Sequence, residues 1–459
     1  MAANFGERLL AEVREETLDE FLHDLRAFKP DQGDERSFFL GVKELDELLE
    51  LFLPTPASAA TAIEPPRTQI PASTFAGFDA GYDSGFPAGA AGYEEENVDE
   101  YGTDVPVPVP TPRPAPNPKR KQPVVEITSP SSAAGKTQLL YYLTAVAILP
   151  SSYHGRDLGG CDAAVVYIDT DGRFDANRLG DIASGIVQER LKASSSNPAD
   201  IVSREERKAE GDDIGDDINA QDINELVCNA LQHVHLLRPQ SSSSLLATLQ
   251  QLDAYLLDVS RHHSATRPLH AIFLDSASAF FWQDRLRDEV ARTEEIGRPA
   301  AEIDRDRDQG RSFHLAVLYR RLVVELRRLQ AIFDCAVVYT TWGLSRTKSS
   351  SDYGPTSSHS GIRPHLPPPW GTFPSLRLVV QREPVRRFPP EATLQEAERD
   401  APLRQEVVAR GKFWAWVDTW GREEWPRRIV EGLERRNGGR FSFWVSDKIV
   451  IGEDSDHPM

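Results

Sequence analysis

Apolar residues first recur at helical spacing. Leu9, Leu10, Val13, Leu18, Phe21, Leu22, Leu25 and Phe28 fall on one side of a helix over residues 5–29, with acids opposite. Such a helix either packs on its own domain or docks on a partner. FFLGVKELDELLELFL (38–53) predicts a second apolar helix. From residue 124 the rhythm becomes strand, helix, strand. VVEIT (124–128) reads as a strand, KTQLLYYLTAVAIL (136–149) as a buried helix and AAVVYID (163–169) as a strand. Phe174, Leu179, Ile182, Ile186 and Leu191 mark a helix over 174–191. Then come a strand at 234–239, a helix at 244–259, a strand at 270–275, a helix at 315–333 and a strand at 335–341. Near-continuous apolar strands alternating with helices predict a mainly parallel sheet covered on both faces. Residues 375–382, 412–420 and 440–452 instead alternate apolar and polar, which predicts antiparallel strands at the sheet edge. Trp414, Trp416, Trp420 and Trp444 in these strands read as core. Polar insertions interrupt the pattern near 192–224, 285–311, 345–370 and 384–410.

Composition divides the chain. Residues 54–123 hold fourteen prolines among Ala, Gly and Ser, and every second residue from Pro106 to Pro118 is proline. That favours extended backbone with no core. The expected organisation is an N-terminal helical segment (1–53), a disordered Pro/Ala/Gly-rich linker (54–123) and an α/β core (124–459). Phe75, Phe78, Tyr82, Phe86, Tyr93 and Tyr101 sit among acids in the linker, as spacer or as a short partner-binding motif. Cys161, Cys228 and Cys335 are scattered and odd in number, which argues against a disulfide framework or zinc knuckle. No apolar run reaches ~18 residues, so no membrane span is expected. The acidic start has no leader pattern, which argues against secretion. Net charge is −19. A chain this acidic is a poor general nucleic-acid binder, so DNA contact must be local or shared. NPKRKQP (117–123) exposes Lys119, Arg120 and Lys121 between prolines, as an import signal or a solvated turn.

The candidate chemistry lies in EITSPSSAAGKTQLL (126–140). Gly135, Lys136 and Thr137 form the phosphate-gripping end of a P-loop between a strand and a helix, where backbone N–H groups face a phosphate. Lys136 would reach the β- and γ-phosphates and Thr137 would hold Mg²⁺. HAIFLD supplies Asp275 at the end of a strand as a metal-side carboxylate. YIDTDGRFD ends a strand with Asp169, Thr170 and Asp171. One of these carboxylates orients an attacking water, or Asp171 and Asp175 cap the next helix.

FFLGVKELDELL, VVEITSPSSAAGKTQLLYYLTAVAILP, VVYIDTDGRFDANRL and AIFLDSASAFFWQDR, in this order, resemble the RecA-type recombinase superfamily and, within it, the eukaryotic recombinase paralogues. The resemblance implies a RecA-like ATPase core acting in homologous-recombination repair in the nucleus. It implies a sister paralogue as partner in a hetero-oligomeric complex, and single-stranded or branched DNA as ligand through that complex. It implies ATP and Mg²⁺ as cofactors, held by Gly135, Lys136, Thr137 and Gln138, with Thr137 and Asp275 on the metal. Three departures from the family pattern bear on activity. Pro130 stands in place of the first P-loop glycine and offers no N–H. Asp171 stands where hydrolysing members carry Glu, one methylene longer. Trp342 stands where the family places a γ-phosphate-sensing Gln, and an indole has a single donor. Weak nucleotide binding and little or no hydrolysis are therefore expected. The family's two DNA loops correspond to about 285–311 and 345–370. Arg346, Lys348 and Arg363 in the second, against Asp352, are the DNA-binding candidates. Phe280, Phe281 and Trp282 could stack on bases, but directly after a core strand they are expected to be buried. The main rival is an active single-stranded-DNA-dependent ATPase; a small-molecule P-loop kinase would need an acceptor pocket and base that the sequence does not supply.

Overall fold

Strands β1 (Val124–Ser129), β4 (Ala164–Asp169), β5 (Val234–Leu237), β6 (Leu269–Asp275), β7 (Ala336–Trp342) and β8 (Leu376–Arg382) form the parallel part of one nine-stranded sheet. Strands β9 (Lys412–Val417), β10 (Phe441–Val445) and β11 (Ile449–Gly452) extend it antiparallel, in the order β11-β10-β9-β8-β1-β7-β6-β4-β5. Strands β2 (Ser152–Tyr153) and β3 (Arg156–Asp157) pair apart from it. The computed structural model describes residues 39–53, 121–195, 219–308, 312–343, 362–385, 387–421, 425–446 and 448–452. The N-terminal pattern at 5–29, nearly all of the linker, and Arg346 and Lys348 lie outside these residues.

Two apolar layers sandwich the sheet. On one face Val125, Ile127, Val165, Tyr167, Phe273 and Val338 meet helices α1 (Lys43–Phe52), α2 (Lys136–Ile148), α3 (Ala176–Ser195) and α4 (Ala220–Leu231). On the other, Val166, Ile168, Ile272, Leu274, Val337 and Tyr339 meet α5 (Ser242–Leu257), α6 (Phe281–Glu294) and α8 (Leu315–Phe333). Helix α7 (Ala300–Asp308) follows α6. This is the RecA-like α/β arrangement, with alternate residues of each strand feeding opposite layers. Helix α1 belongs to the first layer. The Asp46 carboxylate accepts from the N–H groups of Leu40 and Gly41 at 2.7 and 3.0 Å, fixing the approach to the helix. Leu51 packs against Gly432 of helix α10 (Arg427–Arg435), where a Cβ would lie 2.7 Å from a Leu51 methyl.

The C-terminal strands differ in detail from the alternating pattern. Strand β8 pairs antiparallel with β9 but parallel with β1, so the direction changes one strand later than the pattern suggests. Residues 440–452 fold as the hairpin of β10 and β11. The polar stretch at 285–311 carries most of α6 and all of α7, and that at 384–410 carries helix α9 (Leu394–Ala409), which opens with a Thr393–Glu396 capping box. Two acids of α6 are buried: Ser242 Oγ hydrogen-bonds Asp284, and Leu315 N–H donates to Asp288 at 2.9 Å. The core reading of the four tryptophans is corrected: Trp420 is exposed, and Trp414, Trp416 and Trp444 are half-buried, Trp414 and Trp444 on the sheet face opposite Phe413 and Phe443. Lys412 lies 4.3 Å from the Trp414 ring and 5.3 Å from that of Trp444, and Arg440 lies 3.9 Å from Trp414. Cation–π contact lets these indoles stay partly wet.

Candidate nucleotide site

The loop between β1 and α2 carries residues 130–135, and its backbone must reverse within a few positions to aim N–H groups outward. Ala133 (φ 55°) and Gly135 (φ 94°) are both left-handed. The glycine is needed twice over at 135, since a Cβ there would meet Phe413 at 2.8 Å and Phe443 at 3.1 Å. The strain of a side chain at positive φ falls on Ala133, at roughly 1–2 kcal/mol, while Pro130 sits exposed at the strand exit. The effect of Pro130 is therefore the missing donor, and the twist is taken up three residues later.

Lys136 and Thr137 open α2. Lys136 Nζ donates to Ser129 Oγ at 2.6 Å, and Thr137 Oγ1 donates to Asp275 Oδ2 at 2.7 Å. Asp275 ends β6 beside β4 and β7. Its carboxylate also accepts from Tyr167 Oη at 3.2 Å and Thr340 Oγ1 at 2.6 Å. Burial lowers the Lys136 ammonium from its usual pKa, while the negative charges of Asp275 and Asp171 oppose that shift. Gln138 is engaged by Arg178, whose Nε donates to Gln138 Oε1 at 3.0 Å and whose Nη2 donates to the Ser446 carbonyl at 2.7 Å. Arg178 thus ties α2 and α3 to the β10–β11 hairpin.

The three residues after β4 take separate roles. Asp169 is buried; it accepts from the N–H groups of Arg173 and Phe174 at 3.1 and 2.9 Å and pairs with Arg238 at 3.2 Å. It holds the loop rather than facing solvent. Thr170 Oγ1 accepts from Ser276 N–H at 2.6 Å and donates to the Ser276 carbonyl at 2.8 Å, joining the ends of β4 and β6. Asp175 caps α3 through the N–H groups of Asn177 and Arg178. Asp171 remains exposed at the surface of the site. Loss of hydration by the surrounding protein, and then the Asp275 charge, raise its pKa. Lys136, Thr137, Asp171 and Asp275 are thus brought to one end of the parallel strands, where ligands bind in open α/β sheets.

Other candidates lie elsewhere. Trp342 ends β7 with the residue 42% exposed, and its backbone N–H donates to Ser278 Oγ at 3.1 Å. Gly343 N–H donates to the Ser129 carbonyl at 2.8 Å, so the end of β7 abuts the start of the loop between β1 and α2. Phe281 is buried, but Trp282 is 49% exposed with Arg285 5.6 Å from its ring. Arg363 is exposed beyond Ile362, whose N–H is anchored on Asp418 Oδ1 at 2.9 Å. Arg178 and Ser129 were not among the site residues read from the sequence; their polar type and nearness to the motif were the only signals. No group of three His, Cys, Asp or Glu gathers for a metal among the described residues, and none of their helices is long and apolar enough to cross a membrane.

No family model matches the chain. It is 28% identical over 256 residues to "DNA repair protein XRCC2" of Mus musculus, covering 54% of this chain and 69% of that one. It is 24% identical over 286 residues to "DNA repair protein XRCC2 homolog" of Arabidopsis thaliana, covering 56% and 68%. A shorter stretch of 60 residues is 47% identical to "DNA repair protein RAD51 homolog 2" of Mus musculus, covering 13% of this chain and 15% of the relative. The chain resembles RecA-type recombinase paralogues, XRCC2 among them.

Proposed function

We propose that this chain works in DNA repair by homologous recombination as an accessory subunit of the nucleus, assembled with a sister paralogue to support a recombinase filament on single-stranded DNA. The observation that carries this reading is the likeness to DNA repair protein XRCC2 over more than half the chain and 69% of the relative. The site described above supports a nucleotide reading in which Gly135, Lys136, Thr137 and Gln138 hold ATP while Thr137 and Asp275 hold Mg²⁺. A hydroxyl and a carboxylate 2.7 Å apart form an oxygen donor set that suits Mg²⁺. Affinity is weak in this reading. Asp275 is already satisfied by three hydroxyls, which a cation must partly displace. Pro130 removes one donor from the loop. Asp171 is the carboxylate that would orient water, one methylene short, and a misplacement of about 1 Å can cost ~10²-fold in rate. DNA contact falls to Arg346, Lys348 and Arg363.

The test is survival after crosslinking damage in cells carrying Lys136→Ala, beside wild type and a full deletion, with protein levels matched. Survival like wild type, with a sensitive deletion, is the expected result. A mutant as sensitive as the deletion favours the second reading, an active DNA-dependent ATPase. The gathering of Lys136, Thr137 and Asp275 supports that alternative, which further requires turnover stimulated by single-stranded DNA and abolished by Lys136→Ala. A deletion with no sensitivity sinks the repair assignment itself.

A further inference from the structure

Helices α5 and α8 lie side by side on the second face, joined where Arg328 of α8 donates to Asp253 Oδ2 of α5 at 2.6 Å. Their outer surface combines apolar and cationic residues. Leu257, Val317, Val324 and Ile332, with Val259 just beyond α5, are between 49% and 68% exposed. Leu257 of α5 and Ile332 of α8 each lie four residues, about one helical turn, beyond the Asp253–Arg328 contact. The exposed positions of α5 (Ala247, Gln250, Gln251, Ala254) carry no charge. On α8, Arg320 and Arg321 are exposed with no carboxylate partner among the described residues, and Arg327 lies 5.1 Å from the Phe373 ring. Helix α8 carries four Arg and one Glu, a net +3, in a chain of net charge −19. Exposed apolar patches with a charged rim mark interaction surfaces.

We infer that this face is the docking site of the chain's own N-terminal segment, residues 5–29. Two observations select that occupant. The first is charge. The segment holds seven acids and four bases, net −3, beside its apolar stripe of Leu9, Leu10, Val13, Leu18, Phe21, Leu22, Leu25 and Phe28. An acidic amphipathic helix complements a basic apolar groove in both respects. The second is where the described chain begins. The His270 ring, at the start of β6, hydrogen-bonds the Leu40 backbone, so residues 39–40 lie at the edge where the parallel strands start. Helices α5 and α8 connect β5, β6 and β7 and run back against them, so Leu257 and Ile332 end at that same edge. Gln330 donates to the Pro123 carbonyl at 3.1 Å, which fixes the end of α8 beside the start of β1. Nine residues separate Lys29 from Phe39. Fully extended, such a stretch spans roughly 30 Å, enough to return the segment onto the face.

Hydrogen exchange on the full-length chain tests this. Amides of residues 9–28 are expected to be protected ~10-fold or more over unstructured chain. Arg320→Glu, Arg321→Glu and Arg327→Glu together remove that protection, and Glu15→Lys, Glu16→Lys and Asp19→Lys on the segment restore it in combination. Leu18→Asp on the segment also removes it. Core amides of β6 and β7 report that each variant is folded. Equal protection in wild type and the triple arginine variant overturns the inference, as does exchange at the unprotected rate in wild type. Protection that falls on dilution assigns the face to a second copy's segment and overturns docking within one chain.

Discussion

The parallel strands and the antiparallel extension share one sheet but solve burial differently. Phe273, in the middle of β6, is fully buried between layers of helices. Trp414 on β9 is half-buried, with Lys412 and Arg440 in cation–π contact with its ring. A strand covered on both faces needs apolar residues throughout, whereas one covered on a single face needs them at alternate positions. The chemistry follows the same division. Asp275, Thr137 and Lys136 stand at the ends of the doubly covered strands, where a rigid frame can hold them in place.

The sharpest way to break this comparison is truncation on each side of it. Phe273→Ala should cost about 3–5 kcal/mol in chemical denaturation. Arg377→Met tests how the last parallel strand, the one that carries the extension, is tied to its neighbour. Arg377 of β8 donates to the buried Glu126 carboxylate of β1 at 2.7 Å, alongside Thr341 Oγ1 at 2.7 Å. Removing the cation strands a buried charge and should cost about 3 kcal/mol, partly recovered by Glu126→Gln in the double variant. A pH titration probes the far edge. Burial, then His262 and His233, depress the His235 ring of β5 to about 4. In the unfolded chain that ring protonates near ~6.5. The unfolded state therefore binds more protons between these values. The stability contributed by the neutral ring is whole above about 6.5 and declines as pH falls to about 4, by about 3 kcal/mol at most. His235→Gln should flatten that slope. The smallest effect belongs to Trp414→Ala, about 1–2 kcal/mol for a half-buried ring and its cation contacts. A loss equal to that of Phe273→Ala would erase the distinction.

The parallel half was legible because periodicity and burial coincide there. The strand ends carrying Asp275 and Asp169 lie where apolar runs stop at an acid. The extension was less legible: alternation shows that Trp414 and Phe413 face opposite ways, but not which face a helix covers. Nor does a pattern reveal pairing direction, so β8 read as antiparallel although it joins β1 in parallel. Helix α6 hid among charges because Asp284 and Asp288 are buried with hydroxyl and amide partners, as apolar residues would be. In the site, the sequence shows which glycine is missing but not that Ala133 takes the left-handed turn. Nor does it show that the aromatic stack of Phe413 and Phe443, from some 280 to 310 residues away, sits behind Gly135.

The seating of α1 against α10 has a consequence in time. During synthesis α1 leaves the ribosome long before its neighbour exists, with 374 residues between Phe52 and Arg427. At ~5–20 residues per second, its apolar side waits roughly 20–75 s for the surface that will receive it. Until then Leu51, which packs against Gly432, and Leu48, which packs beside Gly439, wait for those final neighbours. The first described element of this protein is thus among the last to be completed, and its early exposure gives holding chaperones an opening.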